Sequence, residues 1–262
     1  MERITTGPTP DASLRDGTAA VPPPVLAGLL DGMPRQRTGT PAVAPAAVPA
    51  PPSLPLSRLT RLRHLLPTPA GTPFTFVYGA VLAVTSLVAA LADPALVHTL
   101  HQGSSTDVAH LVRTPVLVLP ASALWIAGGI VSPYAALFVL VLTALERRIG
   151  GMRAACVFLA GHVLATLATE VPVGLAVLAG HLPGTSLHRL DYGISFGVAA
   201  SIGALAGLIR PWFRWSALAL TAGVLLTDLV AYTDPLTDWG HVIALAIGVS
   251  TWPLVRRAHD RS

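Results

Sequence analysis

Two side chains in this sequence could form a nucleophile and its base. Ser195 lies in Gly193-Ile194-Ser195-Phe196-Gly197, directly after a polar stretch at 181–192. His241 lies in Asp238-Trp239-Gly240-His241, where an apolar run begins. A serine hydroxyl is a poor nucleophile until a neighbouring base accepts its proton. Histidine is the commonest such base near neutral pH. Gly193 and Gly197 keep side chains away from the serine. A helix starting at Ser195 would aim the unpaired N–H groups of Ser195 and Phe196, and the positive end of its dipole, at a developing oxyanion. The competing reading is packing, because Gly193/Gly197 and Gly203/Gly207 have the small-xxx-small spacing of ordinary transmembrane contacts.

The elements that must hold these residues are membrane helices. The chain has 262 residues, 52% hydrophobic and 11% charged, where a soluble domain carries roughly 25% charge. Six apolar segments predict an all-α, six-span bundle: 72–92, 121–145, 152–170 (continuing past Pro172), 194–209, 212–231 and 239–255. The positive residues are all arginine and gather at one set of ends: Arg58–Arg63, Arg147/Arg148/Arg153, Arg210/Arg214 and Arg256/Arg257/Arg261. The opposite loops hold Asp93, Asp107, Asp191, Asp234 and Asp238. Positive-inside bias then places both termini in the cytoplasm, with the plasma membrane as the expected location. Trp125, Trp212, Trp215, Trp239 and Trp252 fall at predicted span ends, as an interfacial belt requires. The high pI therefore marks topology, and no nucleic-acid partner is expected. Cys156, the only cysteine, is expected to be inert packing, with no disulfide and no metal site.

The expected domain boundaries are a disordered Pro/Ala-rich tail at 1–53, an amphipathic basic segment at 54–71, the membrane domain at 72–256 and a short tail at 257–262. No secretory signal precedes the first span, so the N-terminal segment should stay inside. In the loop at 93–119, Ser104–Asp107 can cap one short helix whose apolar face is Val108, Leu111 and Val112.

Length sets depth. The segment 194–209 makes ~24 Å of helix against a hydrocarbon core of ~30 Å. With Arg210 at the inner end, Ser195 should sit below the outer surface, and the polar stretch before it must dip in around a wet pocket. His241 should lie at similar depth. Its partners Ala244 and Gly248, at i+3 and i+7, give a smooth face for the glycines of the fourth span. His162, Thr166 and Glu170 share a face of the third span and read as an interhelical hydrogen-bond ladder. Asp228 is expected to pair with Arg189 or to line the pocket, and His181 and His188 to be solvated.

With these residues placed, the chain resembles the rhomboid family over roughly 72–255. The family's Gly-x-Ser matches Gly193-Ile194-Ser195, and a small residue eight positions on matches Gly203. Its sixth-span histidine with small residues three and seven later matches His241, Ala244 and Gly248. Its Glu-x-x-x-Gly-x-x-basic signature matches Glu146, Gly150 and Arg153. The resemblance implies an intramembrane serine endopeptidase with a Ser195/His241 dyad, no cofactor or metal, and transmembrane proteins in the lipid bilayer as substrates. Its alternative is a catalytically inactive relative that binds transmembrane segments. The family's second-span His-x-x-x-Asn, which donates to the oxyanion, falls on Ile130 and Tyr134. The glycine after the serine is Phe196, and the aromatic expected one turn below the serine is Ala199. Support for the oxyanion would then come from Gly193, Phe196, Tyr134 (or Ser132) and His162.

Overall fold

In the computed structural model, residues 66–232 and 234–261 are described. The tail expected at 1–53 and the amphipathic helix expected before residue 66 lie outside them. The described residues are helical, with no strand among them.

Proline and aspartate set most of the helix starts. Pro73, Pro94, Pro115, Pro133, Pro211 and Pro235 each occupy the first turn of a helix, where the missing N–H costs nothing and the fixed φ helps. The helices are α1 (Pro73–Leu91), α2 (Pro94–Gly103), α3 (Val108–Arg113) and α4 (Pro115–Ser122). α5 (Pro133–Leu137) runs through a π turn at Phe138–Leu142 into α6 (Thr143–Ile149). Then come α7 (Gly151–Leu178), a 3₁₀ turn at Gly184–His188, α8 (Ser195–Ala206), α9 (Pro211–Ala231), α10 (Pro235–Ser250) and α11 (Trp252–His259). Asp93, Asp107 and Asp234 cap α2, α3 and α10 through their carboxylates.

Among the described residues three helices are long and apolar enough to cross a membrane: α1, α7 and α9. The other segments expected to span are shorter. The second does not begin at 121, because α4 ends at Ser122 and the chain turns through Gly128 (φ 80°) and Gly129 (φ 72°) before Pro133 restarts it. The third passes through Pro172 to Leu178 as one helix, in line with the continuation expected there. The sixth starts early, at Pro235, and stops at Ser250, with α11 beginning just before Pro253. The loop at 93–119 carries α2, α3 and most of α4 instead of one short helix.

α8 is the hub. A Cβ on Gly161 of α7 would overlap the Ala200 methyl, and one on Gly197 would overlap the Phe158 ring. On the other side, Gly203 lies against the Leu245 carbonyl of α10 and Gly248 against the Ala200 carbonyl. Ala200 and Ala244 are fully buried at this contact. α9 differs: Leu225 is its one buried residue.

Glu146 joins the first helix to the α6–α7 corner. Its buried carboxylate accepts from Phe74 N (2.9 Å), Thr75 N (2.8 Å) and Thr75 Oγ1 (2.6 Å). It therefore caps α1 from another element, satisfying amides that Thr72 leaves unpaired. Gly150 turns the corner at φ 84°, and Gly151 leaves room for the carboxylate. Arg153 Nη1 donates to the Ile149 (3.3 Å) and Ala258 (3.4 Å) carbonyls. Glu146→Gln puts an amide N–H₂ where an acceptor is needed. We expect a loss of about 2 kcal/mol in thermal unfolding in detergent. An unchanged melting temperature would refute this role for the cap.

Candidate active site

The loop that delivers Ser195 is fixed by hydrogen bonds to two other segments. Gly193 N donates to Ser122 O (2.9 Å) and Ile194 N to Trp125 O (3.1 Å). Asp191 N donates to Ser105 Oγ (3.0 Å), and Thr106 N to Asp191 O (2.8 Å). Gly193 takes φ 131°, which a residue with a Cβ rarely adopts. The chain then enters α8 directly at Ser195, with no side-chain cap.

The two ends of α8 are treated differently. Its last carbonyls are satisfied: Arg214 donates to Ala206 O (2.8 Å), Gly207 O (3.3 Å) and Ile209 O (3.1 Å). Arg256 Nε donates to Gly207 O (3.1 Å), and Trp252 Nε1 to Gly203 O (2.8 Å). Both guanidinium groups also lie over the Trp252 ring. At the other end, the N–H groups of Ser195 and Phe196 have no acceptor among the described residues. The helix therefore presents donors where the serine is and closes off acceptors at the far end.

Ser195 opens into a cavity of about 320 Å³ also lined by Tyr134, His162, Thr166, Asp191 and His241. His241 is buried, and its Nε2 has no hydrogen-bond partner. No hydrogen bond joins it to Ser195 Oγ in this structure, although both face the same space. The imidazole stacks on Tyr134 at 5.7 Å and 11° and meets the Phe196 ring edge-on at 5.2 Å and 78°. Tyr134 comes from α5, a hundred residues away in sequence. It supplies the ring against the histidine that Ala199 lacks. Gly240, just before His241, leaves the space that the Phe196 ring fills.

His162 faces the cavity in a defined way. Its Nε2 lies 3.1 Å from Leu119 O and 3.0 Å from Ser122 Oγ. A carbonyl only accepts, so this contact makes Nε2 the donor and leaves the buried Nδ1 an unpartnered acceptor. In that tautomer His162 has no free N–H for an oxyanion, which leaves the α8 amides and the hydroxyls of Tyr134 and Thr166 as candidate donors.

The three residues expected to form a ladder do not bond one another: His162 reaches Ser122 and Leu119. Thr166 Oγ1 is buried without a partner, and Glu170 reaches Arg189. Arg189 also bonds Thr237 Oγ1 (3.1 Å) and Asp234 (3.4 Å), so one guanidinium ties α7, the 189–194 loop and the start of α10 together. Burial pushes the Asp191 carboxyl above its ordinary range, with Arg189 pulling the other way. Asp228 does not pair with Arg189. It lies in a second, apolar cleft of about 480 Å³ between α5 and α9, bounded by Leu137, Ile202 and Val224. Tyr134 and His241 line both spaces, so a polar cavity and an apolar cleft meet at the histidine. His181 and His188 are exposed. Cys156, expected as inert packing, is exposed on α7 and takes no part in its contact with α8, which α7 makes with Gly161, Ala165 and Phe158. Among the described residues no cluster of His, Cys, Asp and Glu is placed to hold a metal ion.

These features define an all-helical membrane protein built around a short, closely gripped central helix with a serine at its open end. The chain belongs to the rhomboid-like protein family, whose model matches residues 70–261. No curated protein and no solved structure matches it.

Proposed function

We propose that this protein is an intramembrane serine endopeptidase, in which His241 takes the proton of Ser195 and Ser195 attacks a peptide bond of a transmembrane segment. The observation that carries the reading is the meeting of two spaces at His241. The apolar cleft between α5 and α9 suits a hydrophobic segment arriving from lipid, and the polar cavity suits the unwound peptide and water. The carbonyl carbon forms a bond to Oγ, and its oxygen takes the negative charge beside the N–H groups of Ser195 and Phe196. Protonated His241 then returns its proton to the leaving amine, and water hydrolyses the acyl-enzyme by the same steps in reverse roles. In this reading the runs at 133–149, α8 and α10 complete six spans, with both termini cytoplasmic in the plasma membrane.

One observation favours a second reading, in which the chain is a non-catalytic binder of transmembrane segments. His241 Nε2 has no partner and is not hydrogen-bonded to Ser195. Reconstitution with a fluorogenic transmembrane peptide separates the two. The protease cleaves it and Ser195→Ala does not. A chain that binds the peptide without Ser195-dependent cleavage is the binder.

A further inference from the structure

At the arginine-rich end of the bundle, α7 and α11 enclose a groove of about 520 Å³ remote from Ser195. Its α7 wall is Arg153, Cys156, Val157 and Ala160, which fall at i, i+3, i+4 and i+7 and so share one face. Its α11 wall carries Leu254 and Arg257, with Arg261 just beyond the helix. The floor is apolar and the mouth holds three guanidinium groups. Arg257 and Arg261 have no acceptor among the described residues, and neither they nor Arg153 forms an ion pair there. Asp260, the neighbouring carboxylate, pairs with none of them.

The depth of these groups follows from α7. Its 28 residues span ~42 Å, more than the ~30 Å hydrocarbon core, so its first turn reaches the headgroup level. Arg153 is in that turn, and Ala160 lies ~10 Å deeper along the same face. Three clustered cations above an apolar slot need an anion that carries hydrocarbon with it. The chain's own first 65 residues fit poorly by charge, because the part that directly precedes residue 66 carries Arg58, Arg61 and Arg63.

We propose that this groove is a binding site for one anionic phospholipid, with its phosphate held by Arg153, Arg257 and Arg261 and an acyl chain lying along Cys156, Ala160 and Leu254. The site is independent of the hydrolytic reading.

The test uses the purified full chain in detergent. Native mass spectrometry is titrated with phosphatidylglycerol, phosphatidylcholine or inorganic phosphate. Maleimide modification of the single thiol, Cys156, reports occupancy of the slot. Phosphatidylglycerol should be retained in preference to phosphatidylcholine and should slow the thiol reaction. Inorganic phosphate should do neither. Arg257→Gln/Arg261→Gln alters two exposed residues and should weaken phosphatidylglycerol binding about thirtyfold, leaving phosphatidylcholine unchanged. Ala160→Trp should fill the slot and lower adducts of both lipids with the arginines intact. Equal retention of the two lipids, an unchanged double variant, or protection of Cys156 by phosphate alone would each overturn the proposal.

Discussion

Ser195→Ala is expected to abolish covalent labelling by a fluorophosphonate, and His241→Ala to reduce it to background. The reagent phosphonylates a serine only when a base removes the hydroxyl proton as the P–O bond forms and fluoride leaves. It therefore reads the nucleophile and its base without a known substrate. Where each member of such a pair has been removed in a serine protease, the loss is on the order of 10⁶ in turnover, and the two losses do not add. The double variant should therefore label no worse than either single one. The geometry adds a condition. Ser195 Oγ and His241 Nε2 face one cavity without a hydrogen bond, and Nε2 has no other partner. The ring lies between Tyr134 and Phe196, so rotation of the imidazole or of Ser195 χ1 must bring the two together. Tyr134→Phe keeps the stacking ring and should label like wild type, whereas Tyr134→Ala frees the imidazole and should label more slowly. Labelling that survives Ser195→Ala would assign it to another serine and defeat the dyad. A wild-type chain that never labels across the neutral pH range would leave the binding reading standing.

Much of this site was legible because its signals are local. Gly193 before Ser195 takes φ 131°, and a short apolar run after a polar one marks the start of α8 at Ser195. The motif at Glu146 could be recognised from its spacing, but its task could not. The amides it caps belong to Phe74 and Thr75, more than seventy residues earlier. Tyr134 shows the same limit. Its position read as a lost oxyanion donor, and only the packing of α5 against α10 shows the ring lying on His241. Arg189 was expected as a partner for Asp228, not as the group that joins Glu170, Thr237 and Asp234. The second apolar segment was misjudged at its start because hydropathy continues through Gly128 and Gly129, while α4 ends at Ser122 and the chain turns at those glycines until Pro133 restarts a helix. In each case composition and period determined the element, and a contact between distant segments determined the role.

Gly248→Ala should cost more than its single methyl suggests. The added Cβ would overlap the Ala200 carbonyl oxygen and lie 2.7 Å from its carbon and 2.9 Å from Ala200 Cα. All three are backbone atoms of α8, so no rotamer change relieves the contact. α10 must move away from α8, and at Gly203 the same pair of helices is already held against the Leu245 carbonyl. Overpacking of this kind costs about 3 kcal/mol. The displacement also reaches chemistry, because His241 lies two turns earlier on the same helix. Gly248→Ala should therefore lower the thermal midpoint in detergent and suppress Ser195 labelling together. Gly223→Ala on α9 is the matched control. A Cβ there meets nothing within 4 Å, so the gain in helix propensity should stabilise by up to about 1 kcal/mol and leave labelling intact. If Gly248→Ala and Gly223→Ala melt alike, the close approach of α8 and α10 is not what holds His241 beside the cavity.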